Sequence, residues 1–191
     1  MRVVFPKVVI ELNSSAIDGV GVFAVAGFEE LQRIAEGLHE AEYRRLISWT
    51  HFAEYDGALQ EKIRAFCIGT PEGFIPPDKL DFNRLTVEWY LNHSCDGNVG
   101  FDERGDFIAR RRILKGEELT YDYGLAESNP RFRMRCLCGA AICRATITGN
   151  DWKDAEFRER NLAFMLPRLR RPMRDDQAIE APRRRLASRR R

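Results

Sequence analysis

The chain has 191 residues, of which 44% are hydrophobic and 31% charged, with a formal net charge of +2, a length that allows one domain with a sizeable core and a short appendage. That near-neutral total divides unevenly, because residues 168–191 hold ten Arg against three acids and carry +7, leaving −5 on residues 1–167. A uniformly basic nucleic-acid-binding domain is thereby disfavoured, since the body lacks the charge needed to face phosphates.

Residues 1–11 contain no hydrophobic run of the kind a signal peptide or membrane span requires, so a soluble intracellular protein, cytoplasmic or nuclear, is expected. Residues 3–12, rich in Val and Ile, predict a strand; 13–21 form a turn-rich segment with two glycines, and the apolar run 22–26 predicts a second strand. From about residue 29 to 66, Leu38, Tyr43, Leu46 and Ile47, then Leu59, Ile63 and Phe66, fall at helical spacing and predict two short helices. The Pro- and Gly-crowded stretch 69–77 is expected to be loop, with strands resuming near 85–91 and 107–112 and a short extended piece at 116–123. After Gly149, Asn150 or Asp151 offers an N-cap, apolar residues recur at helical spacing and Pro167 supplies a stop, which predicts a closing helix over 150–167. Residues 168–191 are poor in apolar side chains and interrupted by Pro172 and Pro182, and read as a basic disordered tail. The fold class is mostly β with short helices.

Gly19-Val20-Gly21 alone suits either a tight hairpin or a place where backbone approaches a ligand without a Cβ in the way. The cysteines constrain more. Five is an odd number, and Cys136, Cys138 and Cys143 crowd into eight residues, which suits metal binding in a reducing compartment better than a disulfide scaffold. Zinc takes four ligands in tetrahedral geometry, with sulfur at about 2.3 Å, and C-x-C-x4-C supplies three thiolates. The fourth must come from elsewhere, and the two C-x-x-C pairs of a free-standing ribbon are absent.

Four motifs then occur in a fixed order: Asp-Gly-Val-Gly-Val-Phe-Ala at 18–24, Asn-His-Ser-Cys at 92–95, Gly-Glu-Glu-Leu-Thr-Tyr-Asp-Tyr-Gly at 116–124, and the cysteine cluster at 136–143. In this order they resemble the SET-domain protein lysine methyltransferases, over residues 8–149 and most strongly over 91–144. The resemblance implies the SET-domain β-fold with its pseudoknot, in which a C-terminal segment threads beneath a loop. It divides the chain into a SET domain at 1–135 and a post-SET zinc segment at 136–149, ahead of the closing helix at 150–167 and the tail.

The resemblance also implies an enzyme that transfers the methyl group of S-adenosylmethionine to a lysine side chain of a protein. Tyr123 would be the catalytic tyrosine. Tyr121 would line the lysine channel, where a Tyr in place of Phe favours mono- or dimethylation. Cofactor binding would fall to Gly19, Val20, Gly21, Val22, Asn92, His93, Tyr123 and Leu137, with Leu137 packing on the adenine. Cys95 would complete a structural zinc site with Cys136, Cys138 and Cys143, leaving Cys67 as a buried apolar residue.

Departures from the family pattern accompany these matches. Gly97 stands where the family often has Pro, which implies a looser turn, and Glu29-Glu30 replaces an expected glycine, which puts the strand after Ala24 in doubt. No cysteine-rich module precedes the domain, so substrate choice cannot be copied from the large chromatin enzymes. The acidic body suits a basic, lysine-containing segment of a protein such as a histone. For the tail, a solubilising role, a tether to nucleic acid or an acidic partner, and docking onto the body stay open. A catalytically silent SET-like module that binds a peptide or cofactor is the alternative to an enzyme, and a zinc-stabilised nucleic-acid binder is a third reading.

Overall fold

The computed structural model describes residues 9–37, 39, 42–77 and 81–170, so residues 3–8 of the first expected strand and residues 171–191 of the tail lie outside the described residues. Strands β1 (Ile10–Ser14) and β2 (Val20–Ala24) form an antiparallel hairpin paired from Ile10↔Ala24 to Ser14↔Val20. Its turn is closed by Ser15, whose amide donates to Gly19 O and whose Oγ accepts from the amides of Ile17 and Asp18. Next comes β3 (Arg33–Ala35), a strand inside the region where helical spacing was expected. Three residues are too few for a period to register, and here the free edge of a neighbouring strand decides the conformation. The strand doubted after Ala24 is therefore present, and Phe28 adds a bridge to Ile113.

The two expected helices lie later, within an insert. A 3-10 turn (Glu42–Arg45) precedes β4 (Ile47–Ser48), α1 (Trp49–Glu54) and α2 (Gly57–Phe66). Ser48 caps α1 by accepting from the His51 amide, and Asp56 caps α2 by accepting from the Leu59 amide at 2.8 Å. The stretch expected as loop is instead the hairpin β5 (Ile68–Thr70) and β6 (Gly73–Ile75), in the sheet order β4-β6-β5. Its Pro and Gly residues bound two three-residue strands rather than forbidding them, because Thr70 Oγ1 accepts from the Glu72 and Gly73 amides and turns the chain. Ile47, Phe52, Ile63, Cys67 and Phe74 form the insert's own buried cluster.

A 3-10 turn (Val87–Tyr90) occupies most of the strand expected at 85–91 and leads into β7 (Asn92–His93). The hairpin β8 (Val99–Phe101) and β9 (Phe107–Ala109) is buried at all six positions, as continuous apolar runs covered on both faces are. Then β10 (Glu118–Tyr121) enters the sheet, whose order is β1-β2-β10-β8-β9-β3. Glu118 and Leu119 pair antiparallel with β2, while Tyr121 pairs parallel with Val99 of β8. On the β2 side, β7 takes over the same edge, with Thr120↔Asn92 and Tyr121↔His93 parallel. Residues far apart in sequence thus become neighbours at one strand end.

Beyond β10, β11 (Arg133–Arg135) and β12 (Thr146–Thr148) form a separate ribbon. The closing segment is helical but broken: a 3-10 turn at Asp151–Lys153, α3 (Ala155–Asn161), a 3-10 turn at Leu162–Phe164, and α4 (Pro167–Arg170). Pro167 starts a helical turn instead of stopping one, since the first turn leaves its missing amide unneeded. Folded structure accordingly runs three residues past the expected boundary, with Leu169 buried. The main core gathers Val22, Val99, Phe101, Leu119, Leu125, Met165 and Leu166 from the sheet and this segment.

Gly97 shows how tightly the crossing is packed. A Cβ there would lie 2.7 Å from Tyr121 Cα and 2.8 Å from Thr120 O, so the expected loose turn is in fact a close approach of two backbones. Gly97→Ala is expected to destabilise the protein by about 1–3 kcal/mol through overpacking, read as a lower denaturant midpoint with an unchanged slope.

Candidate functional site

The site is built at the end of β10. Gly19 has a positive φ of 44°, which suits it to turn the chain, and a Cβ placed on it would meet nothing within 4 Å. Gly21 is a glycine for another reason: a Cβ there would lie 2.3 Å from Glu118 Oε1. That carboxylate also accepts from Ser15 Oγ at 2.8 Å and from Asn92 Nδ2 at 3.1 Å. Asn92 Nδ2 donates in turn toward Asp18 O and Val20 O, each at 3.1 Å. Asn92 and Glu118 therefore fix the glycine turn from two separate motifs. Val20 is exposed beside Gly19, whereas Val22 is fully buried and offers only its backbone to a ligand.

His93 is enclosed. The Tyr123 amide donates to Nδ1 at 3.1 Å, so the ring proton sits on Nε2, 3.4 Å from Cys95 Sγ. Burial lowers the imidazole to about 4, against the raising pull of Asp122, and the ring is neutral. The structure thus gives both ring nitrogens of His93 protein partners, a geometry suited to positioning Tyr123.

Tyr123 and Tyr121 come together, with ring centroids 4.9 Å apart. The Tyr123 hydroxyl donates to Leu91 O at 3.1 Å, and burial with the nearby Asp18 carboxylate pushes the phenol up to about 12. Burial also pushes Tyr121 well above the usual tyrosine range. Both phenols stay protonated at neutral pH. Phe101 and Phe107 meet the Tyr121 ring at 5.6 and 6.1 Å. A cavity of ≈100 Å³ lies here, walled by Phe66, Trp89, Phe107, Tyr121, Tyr123 and Phe132. Its aromatic walls could pack on an aliphatic chain, while Glu36, Arg64, Glu88 and Glu127 add charged groups to the lining.

One carboxylate in this cavity escaped the sequence reading. Glu127 Oε2 accepts from the Gly69 amide at 2.9 Å and Oε1 from the Asn129 amide at 2.7 Å. Burial raises its carboxyl above the usual glutamate value, although the backbone amides and Arg168 pull the other way. Arg168 of α4 is half-buried and donates to Ser128 Oγ at 2.9 Å and to Ala126 O.

The cysteines of the two motifs converge. The sulfur atoms of Cys95, Cys136, Cys138 and Cys143 all lie within 4.8 Å of one another, and those of Cys95 and Cys136 are 3.8 Å apart. Tetrahedral zinc with 2.3 Å bonds requires sulfur separations of about 3.8 Å. Backbone amides of Arg144, Cys138 and Ala145 point at Cys95, Cys136 and Cys143 respectively, a donor set suited to thiolates. The four residues fit a closed structural zinc site. Cys67 lies apart in the insert cluster, where burial pushes its thiol up to about 12.

Asp122, buried between the two tyrosines, ties these parts together. It accepts from Arg144 Nη1 and Nη2 at 2.6 and 2.7 Å and from the Gly124 amide at 2.9 Å. Arg144 also reaches Asp151 at 3.2 Å. Both were visible as the Asp within Tyr-Asp-Tyr and the Arg after the last cysteine, yet no local pattern pairs them. Leu137 is 58% exposed on the cysteine loop. The open backbone at Gly19 and the exposed Leu137 leave these two residues free to meet a ligand.

Comparison with known proteins accords with this geometry. The family described as SET domain matches residues 19–124. Histone-lysine N-methyltransferase trr of Drosophila melanogaster is 29% identical over 149 residues, covering 71% of this chain and 6% of that protein. Histone-lysine N-methyltransferase ash1 of the same organism is 37% identical over 128 residues, covering 62% of this chain and 6% of its own length. The H3 lysine-36 specific histone-lysine N-methyltransferase of Candida albicans is 27% identical over 175 residues, covering 84% of this chain. The chain spans between 6% and 18% of the length of these curated relatives. Among solved structures, the methyltransferase domain of human SETMAR superposes with a TM-score of 0.50 at 18% identity, covering 71% of this chain and 56% of that one, which establishes likeness of fold.

The thiol cluster generates a direct expectation. Elemental analysis of the purified chain should find about one zinc per chain, and a strong chelator should remove it and lower the melting temperature of the chain. A metal-free protein with an unchanged melting profile would contradict the assignment.

Proposed function

Because the chain belongs to the SET-domain family, we propose that it transfers the methyl group of S-adenosylmethionine to the side-chain amine of lysine in a basic protein segment, such as that of a histone. The observation that carries this reading is the parallel pairing of Asn92–His93 with Thr120–Tyr121. It brings the tyrosine motif beside the glycine turn that Asn92 holds. Cofactor and lysine can thereby approach from opposite sides of one wall.

In this reading the turn from Gly19 to Val22, Asn92 and Leu137 hold S-adenosylmethionine, His93 steadies Tyr123, and Cys95, Cys136, Cys138 and Cys143 hold one structural zinc. When bound, the cofactor supplies an electrophilic methyl group on a cationic sulfur. The protein's task is orientation and exclusion of water. A lysine amine of pKa about 10.4 must shed a proton, and a desolvated aromatic channel beside a positive charge favours that loss. The Tyr123 hydroxyl, its proton committed to Leu91 O, presents its oxygen lone pairs toward the amine and the transferring methyl. The Tyr121 hydroxyl narrows the channel, which supports mono- or dimethylation as the product.

With Arg168 and Arg170 counted in the folded body, residues 1–170 carry −3, which favours a cationic partner, and the +5 of residues 171–191 favours nucleic acid or an acidic partner. Among the described residues, no helix is long and apolar enough to cross a membrane. We place the protein inside the cell, in the nucleus or cytoplasm. The division into a SET domain at 1–135, a post-SET zinc segment at 136–149, a closing segment from 150 and a basic tail belongs to the same proposal.

Incubation of the full chain with core histones and radiolabelled S-adenosylmethionine should label lysine. Tyr123→Phe is expected to reduce turnover by about 100-fold or more while leaving cofactor affinity within a few-fold. No transfer by the wild type, with cofactor still bound, would favour a silent binding module. Mass spectrometry of the product should show mono- and dimethyl-lysine, with higher methylation by Tyr121→Phe. Trimethyl-lysine from the wild type would refute the role given to Tyr121.

A further inference from the structure

Resting on the lysine methyl-transfer reading, we propose that Glu127 receives the proton that the target lysine sheds before methyl transfer. Three carboxylates line the cavity together with Tyr121 and Tyr123: Glu36, Glu88 and Glu127. The Glu36 side chain is 72% exposed to solvent, and Glu88 accepts the Thr86 hydroxyl at the surface. Glu127 alone among them is buried. Its two oxygens are aimed by amides of different segments, Gly69 of β5 and Asn129 of the loop after Tyr123. A Cβ on Gly69 would lie 2.4 Å from Oε1, so the carboxylate is seated directly against the Gly69 backbone.

The other candidates near the amine are unsuited to the task. Tyr123 and Tyr121 are protonated and held so by burial. His93 is enclosed behind the Tyr123 backbone. The groups facing Glu127 are Arg168 from α4 and Tyr121 from β10; Tyr43 and Glu72 act on Arg168, and Arg64, Glu36 and Glu88 share the cavity. Burial raises the Glu127 carboxyl above the usual glutamate value, which narrows its gap to the amine. Arg168 pulls the other way and favours the ionised carboxylate.

The step balances without further reagents. One N–H bond of the ammonium breaks, its electron pair stays on nitrogen as the nucleophile, and an O–H bond forms on Glu127. The proton leaves to water when the product departs. An ionised base and a protonated lysine coexist across the range between their two pKa values, so wild-type kcat/KM should be flat above the titration of the carboxyl and up to about pH 9. Without the base, the rate follows the small fraction of lysine already neutral and rises about tenfold per pH unit.

The test measures methyl transfer to core histones from pH 6 to 9.5 by the full chain and by Glu127→Gln, Glu127→Asp and Arg168→Met. Thermal melting and S-adenosylmethionine binding are followed in parallel. Glu127→Gln is expected to be about 100-fold slower at pH 7 and to converge on the wild type near pH 9. Arg168→Met, which removes a charge that favours the ionised carboxylate, should move the acid limb of the profile to higher pH and leave the rate flat above it. Should Glu127→Gln lose its melting transition, Glu127→Asp decides: a flat profile supports the base and a tenfold-per-unit rise overturns it. A folded Glu127→Gln with the wild-type profile, or a wild type that itself rises tenfold per unit, overturns the proposal. A wild type inactive at every pH overturns the methyl-transfer reading instead.

Discussion

The arrangement depends first on one buried ion pair, Asp122 with Arg144. Asp122 is 1% exposed, and a carboxylate taken out of water is tolerated only when its charge is paired and its lone pairs are filled. Arg144 does this with two short bonds, and the Gly124 amide takes another position. The same bond to Gly124 caps the 3-10 turn Tyr123–Leu125, so the chain stops being a strand between the two tyrosines. Asp122 thereby sets where the Tyr123 ring lies relative to Tyr121. Because its partner follows Cys143 directly, the thiol cluster and the tyrosines share one anchor.

From that anchor the segments interlock. The Arg144 amide points at Cys95 Sγ while its guanidinium lies 5.1 Å from the Phe157 ring of α3. Leu166 then donates its amide to Leu125 O at 2.9 Å, and Arg168 grips Ala126 and Ser128. The closing segment is thus part of the wall that holds the tyrosine loop. Loss of the thiol cluster would reach the cavity through these bonds, since buried charge pairs and packed rings have few alternative arrangements.

Much of the site was legible because it rests on side-chain chemistry at fixed spacing. Cys-x-Cys-x4-Cys, Asn-His-Ser-Cys and Tyr-Asp-Tyr survive as patterns wherever the chain places them. The insert hairpin, the three-residue β3 and the 3-10 turn at Val87–Tyr90 did not. They are too short for a periodicity of 2 or 3.6 to emerge, and their conformation is fixed by the strand edge or turn hydroxyl they meet. Gly97 and Gly21 were read as turn residues, but each is a glycine because something distant lies against its α-carbon: the Tyr121 backbone in one case, the Glu118 carboxylate in the other. Such close approach leaves no local trace.

By itself, the sequence determined that this is a mostly β chain with an acidic body, a thiol cluster and two tyrosines in one motif, because composition and short-range spacing are properties of the chain. Only the tertiary structure decided that Glu127 shares a cavity with those tyrosines, that Arg144 neutralises Asp122, and that Arg168 belongs to the folded body. These facts rest on hydrogen bonds and ion pairs between residues 22 to 58 positions apart. They exist only once β10 has been laid between β2 and β8 with β7 along its edge.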